Sequence, residues 1–570
     1  MTNSPTTGND LATPSRFALI VLGIAVVVFV VALSIAPSPA VDLFWQMRTG
    51  QIIVSTGHVP HFDTFSWTRN GHPWIVHEWG MCVLLWSTFK AGGFAGVWVL
   101  EAVLLLAIFL TLYLLLHRET RGAPLTAFCL TLWACKMSSP LIAPRPHLFT
   151  YLFLIVCIGI LLAARRGNPK LLWWLVPTCV MWANFHGGVI LGVGLIALFG
   201  VCDLVEAGMS RSGTSTIGSG PLPPNPAGTG LVKPDLEIGK RQLVVAACCA
   251  VGLSINPYGW HIYEIFTQTV GNKTMPSFVS EWSALDFHDP LGLLFEAMFA
   301  IICAGLVFTR ESRSLAEIAT VVLLAHASLT ASRNVPLFAF AGLLVTARHI
   351  QSTLDRFLSR KGEDRPELFG PRPPSVISVV VAIAVVAVST MTAVDQMRRS
   401  PDRSSGLAKA ASTSFALHYF PADAVRFLKT EQLPADWRMY NDYNLGSYLM
   451  WSMPERKISM DTQTDVFFGG VLDDYARLDQ QPFGWEKILA FYHPDFVVMS
   501  AAEPQARLFY TSPRWALVWA DTADLDSSGS SNALIFIKNS RENASVIERC
   551  RRDCPTLVRH PEMALQGATQ

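Results

Sequence analysis

Two residues able to handle a proton stand side by side in the stretch Gly71–Gly80, GHPWIVHEWG: His77 and Glu78. A positioned carboxylate or imidazole is the usual means of taking a proton from a hydroxyl group. A third candidate, Asp42, stands in VDLFWQMRTG. Arg145 and His147 occupy the corner APRPHLF, and Arg333 the corner ASRNVP. A guanidinium fork matches phosphate oxygens two at a time. The set therefore suits a reaction in which a phosphate is held while a hydroxyl is activated. Similar polar corners recur in WANFHGG with His186, INPYGWH with Asn256 and Tyr258, and SEWSALDFHD with Glu281. Asp42, Glu78 and His77 are the candidates for proton transfer. Arg145, His147, His186, Arg333, Asn256, Tyr258 and Glu281 are the candidates for substrate binding. Each type also has a plainer role. Arg145 and Arg333 could anchor in lipid headgroups, and His147 and His186 could cap helices or bond between them. Asp42 could cap the helix after it. Trp45, Trp67, Trp74, Trp79 and Trp282 read as an interfacial belt.

Whether these corners meet depends on the elements that carry them. Of the 570 residues, 51% are hydrophobic and 15% charged, and mean hydropathy is +0.35. Soluble domains carry about 25% charged residues, so composition points to a membrane protein. A spanning helix needs about 20 apolar residues. The pattern predicts about eleven: 17–41, 94–116, 121–138, 146–164, 171–185, 188–206, 241–256, 289–309, 314–331, 334–348 and 373–394. Residues 77–90 are too short to cross and are expected to lie in one leaflet. With residues 1–16 inside, the inner segments carry 18 Lys and Arg and the outer loops 6, as the positive-inside rule requires. All the polar corners then fall on the outer face, together with everything after residue 395. Inner corners such as HRET, RRGNPK and RESR read as basic anchors. The inner loop 208–238 is rich in Gly, Ser, Pro and Thr and reads as a flexible linker.

The net charge of +1 and the lack of a basic tract give no sign of nucleic acid. No P-loop, dinucleotide fingerprint, nucleophile elbow or HExxH is present. Of 11 cysteines, nine lie between Cys82 and Cys303, mostly in apolar runs. Cys550 and Cys554 could form a disulfide in an oxidising compartment.

The pattern resembles the GT-C superfamily of integral-membrane glycosyltransferases. The likeness rests on the acidic Asp42 soon after the first span, the long first outer loop 38–93, and a domain after the last span. More narrowly, the chain is similar to a bacterial group with the motif D…W…G…G…P…D.FS.T..G..W..HEW. Here that motif is Asp42, Trp45, Gly50, Gly57, Pro60, Asp63, Phe65, Ser66, Thr68, Gly71, Trp74 and His77–Trp79. The group also shares the corners RPH, N.HGG, NP.G and SRN, and a tail motif like YNDYNLGSYLMW. The resemblance implies a multi-pass protein of the bacterial inner membrane. It implies transfer of a sugar from a polyprenyl-phosphate carrier to an extracytoplasmic glycan, lipid or protein acceptor. Many such enzymes carry an adjacent acidic pair, whereas Leu43 follows Asp42 here; a divalent metal is therefore left open.

After residue 395 short apolar runs alternate with polar residues. WRMYN, RKISM, DFVVMS, WALVWAD and ALIFIKN are predicted strands. FPADAVRFLKT, with a capping signal, and 444–451, 471–480 and 485–491 are predicted helices. Asp461 and Asp465 follow the second of these strands and suit either turn chemistry or acceptor binding. The expected fold is thus an α-helical polytopic membrane protein, GT-C-like, over 17–395, with an extracytoplasmic α/β domain over 396–570. Two rival functions remain open on sequence: a transporter or flippase for lipid-linked glycans, and an envelope assembly factor with a degenerate site.

Overall fold

The structure is a computed structural model that describes residues 16–211, 236–270, 279–358, 369–371, 373, 375–480, 484–522 and 532–565. The predicted linker at 208–238 lies mostly outside the described residues.

Helices occupy all eleven predicted spans, and among the described residues two further α-helices lie between them. They are α1 (Arg16–Leu33), α2 (Leu43–Thr56), α3 (Trp79–Glu119), α4 (Pro124–Ser138), α5 (His147–Arg165), α6 (Leu175–Ala183), α7 (Val189–Arg211), α8 (Leu236–Gly252), α9 (Ile262–Val270), α10 (Pro290–Phe308), α11 (Leu315–Thr330), α12 (Val335–Leu358) and α13 (Ser375–Arg399). Six of them, α1, α3, α5, α7, α10 and α13, are long and apolar enough to cross a membrane. The chain is a multi-pass membrane protein. The other five spanning candidates depart from the predicted pattern. α4, α6, α8 and α11 are short, and α12 is long but less apolar. Burial explains α12. All but one of its residues from Val335 to Ser352 are covered by other helices, so it needs little lipid-facing surface.

Two helices carry the two ends of the first long loop. α2 is the helix that Asp42 precedes. α3 holds two predicted pieces in one run. Its path breaks at Gly92 and Gly93, where Gly93 has φ 60° and ψ −151°, a conformation open to glycine alone. The part before the break matches the short helix expected at 77–90. α2 lies directly on it: a Cβ on Gly50 would overlap the backbone carbonyl of Cys82.

The inner corners differ from the basic anchors expected. Arg348 donates to both carboxylate oxygens of Glu317, at 2.7 and 2.8 Å, and His349 lies 3.1 Å from the same group. Glu317 and His349 are fully buried. Arg165 pairs with the buried Asp203, and Arg166 with Glu119. A charge buried in apolar surroundings must be paired, so these residues tie helices together.

The C-terminal domain forms a four-stranded sheet, β1 (Met439–Asn441), β2 (Phe496–Ser500), β3 (Trp515–Ala520) and β4 (Ala533–Lys538), in the order β1-β2-β4-β3. β1 and β2 are parallel; β4 runs antiparallel to both β2 and β3. The helices predicted near 444–451, 471–480 and 485–491 are Tyr443–Ser452, Val471–Gln480 and Trp485–Tyr492. Two expectations fail here, and the open question of a disulfide is answered. Residues 456–460 are not a strand. Ser459 is instead held by the side chain of Asn441, and Ile458 bridges to Ser66 of the first outer loop. The helix in FPADAVRFLKT, Ala422–Glu431, starts at Pro421 with no side-chain cap. Cys550 and Cys554 are buried free thiols, directed to Glu431 and to the Ala520 carbonyl.

The expected tryptophan belt is also corrected in part. Trp45 and Trp74 are buried with Phe65, Val76 and Tyr258 in one core with the C-terminal domain. Trp67 donates from Nε1 to the Met439 carbonyl, 2.9 Å away. The first outer loop and the C-terminal domain fold as one packed unit because they share this core.

Candidate active site

Asp42 immediately precedes α2 but makes no side-chain cap bond to it. Its Oδ2 lies 2.9 Å from Nε of Arg145. The Nε hydrogen does not point along that line, so the contact is an ion pair rather than a hydrogen bond. Arg145 is held on a tight corner before α5, its own N–H donating to the Ala143 carbonyl at 2.7 Å.

Glu78 immediately precedes α3 and likewise makes no cap bond. Close packing of α2 on α3 brings Gln46 to it, with Nε2 donating to Oε1 at 3.0 Å. His77 Nε2 stands 3.4 Å from the other carboxylate oxygen. Glu78 is only 8% exposed. Burial, and then the charge of Asp42, push its carboxyl up to about 8. It is therefore mainly protonated at neutral pH. Burial also lowers His77, against the opposing charge of Asp465.

Glu281 joins the two arginines. On the 3-10 turn Ser280–Trp282 it places Oε2 3.4 Å from Arg145 Nη1 and Oε1 3.8 Å from Arg333 Nη1. The Arg333 guanidinium lies 4.3 Å from the centre of the Trp282 ring, a cation–π distance.

The histidines are held by internal bonds. His147 Nε2 lies 2.8 Å from the Leu141 carbonyl and so carries the proton. Thr150 Oγ1 accepts from Trp182 Nε1 at 2.8 Å and lies 2.6 Å from His186 Nδ1. The Gly188 N–H also points at that nitrogen, at 3.2 Å. Nδ1 is thus an acceptor and the proton sits on Nε2. Burial and neighbouring His77 lower His186 well below its ordinary value, so it stays neutral. Its ring is 6.4 Å from that of His77.

Asn256 and Tyr258 stand apart from these charges. Asn256 braces its own turn through Leu253, Tyr258 and Gly259. The Tyr258 hydroxyl accepts from the Val76 N–H at 2.9 Å and donates to the Pro60 carbonyl at 2.5 Å. Tyr258 thereby fixes the strand of chain that leads into His77. Asp63 has a similar framework role, accepting from Phe65, Ser66 and the Ser66 hydroxyl. That accounts for the spacing D-x-F-S in the first outer loop.

The C-terminal domain adds Tyr443, which the sequence analysis did not single out, and Asp465, which it did. Tyr443, buried, bonds through its hydroxyl to Thr464 at 2.8 Å, and Asp465 follows in the short helix Thr464–Phe467. Burial raises the Asp465 carboxyl to about 6, with His77 opposing and Glu78 adding to the rise. Asp461 binds the Gln463 N–H at 2.9 Å in a turn. Among the described residues, no three His, Cys, Asp or Glu side chains meet as metal ligands. Asp42 faces a guanidinium instead. These residues do not fit a metal ion, and no step is assigned to one.

No protein-family model matches the chain, and no curated protein matches it. Solved structures do. The Archaeoglobus fulgidus oligosaccharyltransferase tethered with an acceptor peptide is 14% identical, covering 91% of this chain and 74% of its own, with TM-score 0.42. The same enzyme in complex with zinc and sulfate is 13% identical over 90% and 73%, with TM-score 0.41. ArnT from Cupriavidus metallidurans bound to undecaprenyl phosphate is 12% identical over 92% and 98%, with TM-score 0.43.

Proposed function

We propose that this protein is a GT-C-type glycosyltransferase that moves a sugar from a polyprenyl-phosphate carrier to an acceptor hydroxyl on the outer face of the membrane. The reading is carried by the placement of Asp42. It opens a helix, leaves that helix uncapped, and reaches Arg145, which Glu281 joins to Arg333. A carboxylate is thereby set beside two phosphate-binding forks.

In this reading Asp42 takes the proton of the acceptor hydroxyl. The acceptor oxygen forms a bond to the anomeric carbon as the bond from that carbon to the phosphate oxygen breaks. The electron pair leaves with the polyprenyl phosphate, and Arg145 and Arg333 hold the charge that develops there. Burial and the charge of Asp42 hold the Glu78 proton more tightly than usual, so in this reading the base is Asp42. Glu78 serves as a neutral donor, positioned by Gln46 and His77. His186 offers a second neutral donor from Nε2.

The test is Asp42→Asn in the full chain, assayed with a panel of polyprenyl-phosphate sugars. The variant loses the ion pair to Arg145 but no cap bond, and Glu281 still faces that arginine, so it should fold with a modest fall in melting temperature. Transfer should fall by at least ~100-fold. Wild-type rates in this variant would move the base elsewhere. No transfer by the wild type with any donor would favour the non-catalytic alternatives.

A further inference from the structure

The link between the two arginines has a feature that substrate binding does not explain. Charge-assisted bonds between guanidinium and carboxylate run about 2.7–2.9 Å. Asp42 comes within 2.9 Å of Arg145 as an ion pair, off the line of the Nε hydrogen. Glu281 does not: it stands 3.4 Å from Arg145 and 3.8 Å from Arg333. One carboxylate is stretched between two cations and bonds tightly to neither.

Glu281 is also not free to follow either arginine. Its backbone is tied to the Arg333 corner. Ser332 Oγ donates to the Glu281 carbonyl at 3.2 Å, the Ser332 N–H to Ser283 at 3.0 Å, and the Leu285 N–H to Leu329 at 3.4 Å. Trp282 lies against Arg333. Glu281 and Arg333 therefore form one unit, and Arg145 with Asp42 another. The 3.4 Å contact is a bridge between the two units. Its two oxygens face the two forks that a phosphate would have to reach.

We propose that Glu281 is a resident counter-anion of this clamp, which a phosphate group must displace in order to bind. The inference rests on the reading of Arg145 and Arg333 as a phosphate clamp. A carboxylate that offers both arginines long contacts neutralises them in the absence of ligand. A phosphate that offers normal contacts replaces it, and Glu281 turns to solvent, to which it is already about one quarter exposed. The carboxylate thus sets a threshold: weak anions do not dislodge it, and phosphate does. The apparent affinity is the intrinsic affinity reduced by the fraction of molecules in which the bridge is open.

The experiment measures binding of undecaprenyl phosphate, and separately of inorganic phosphate, to the full chain in lipid nanodiscs. The wild type is compared with Glu281→Gln, Glu281→Asp and Arg145→Lys, each checked for folding by its melting temperature. Glu281→Gln should bind undecaprenyl phosphate about tenfold more tightly. Glu281→Asp keeps the charge but is one methylene too short to bridge, and should bind several-fold more tightly than wild type. If Glu281 acted through its charge alone, Glu281→Asp would match wild type, and the proposal would fall. Weaker or unchanged binding by Glu281→Gln would overturn it as well. A gain for both ligands identifies the phosphate group itself as the competitor, and a gain for undecaprenyl phosphate alone identifies the phosphate of the carrier. Arg145→Lys loses the fork and should weaken binding. If it does not, the clamp itself is wrong. If it does and Glu281→Gln gains nothing, only the counter-anion fails.

Discussion

At the residue scale, the roles proposed for Asp42 and Glu78 rest on a difference in burial. Asp42 is about one fifth exposed and faces a guanidinium. Glu78 is nearly covered, and its carboxyl is raised from an ordinary 4.5 to about 8. Pairs of carboxyl groups set apart in this way divide acid and base roles. A measurable linkage follows. The folded state holds the Glu78 proton more tightly than the unfolded chain does. Its contribution to stability is therefore complete below about pH 4.5 and is lost as pH rises through about 8. The melting temperature of the wild type should fall between pH 5 and pH 8.5, and Glu78→Gln should flatten that fall. A parallel decline in both proteins would assign the dependence to another group.

At the scale of elements, the buried pairs at the inner helix ends hold α11 to α12. Glu317 begins α11 with a capping box on Ser314 and binds Arg348 and His349 of α12. Removing one partner of a buried pair typically costs about 3–5 kcal/mol, because the other charge is left uncompensated. Glu317→Gln should lower the melting temperature clearly, whereas replacing both Glu317 and Arg348 with apolar residues should recover part of the loss. No loss in the single variant would mean that water reaches the pair. The seam on the outer face is of another kind. There Ile458 and Ser459, read from their alternating pattern as part of a strand, are taken up by Ser66, Thr68 and Asn441.

At the scale of the whole molecule, the candidate active site is assembled from both parts of the chain. Asp42, Glu78, Arg145 and Arg333 come from the helical region, and Tyr443 and Asp465 from the C-terminal domain. That arrangement requires the domain and the first outer loop to lie on one side of the membrane, in agreement with the charge asymmetry of 18 to 6. A reporter active only outside the cytoplasm should give signal when fused after Gln570 and none when inserted within 208–238. The reverse result would place the site on the inner face and remove the basis for a carrier displayed outside.

The sequence by itself determined the membrane class, the order of helices and the identity of the corners that hold charge. These properties follow from apolar length, from the high cost of charge in lipid and from the local rules of helix starts. It also marked the helix after Asp42 and four of the five predicted strands. It did not separate Asp42 as a cap from Asp42 as a site residue, because both readings place it before the same helix. Only the tertiary structure shows that Asp42 makes no cap bond and faces Arg145, about a hundred residues away, at 2.9 Å. In the same way Tyr258 and Asn256 looked like site residues and proved to brace loops, since a polar residue in a corner carries no sign of where its partner lies. The basic inner corners read as anchors because their acidic partners sit elsewhere in the chain. Trp45 and Trp74 read as a belt because the domain that covers them begins more than three hundred residues later. Local patterns fix elements, but burial and charge pairing are decided by which distant segments share a core.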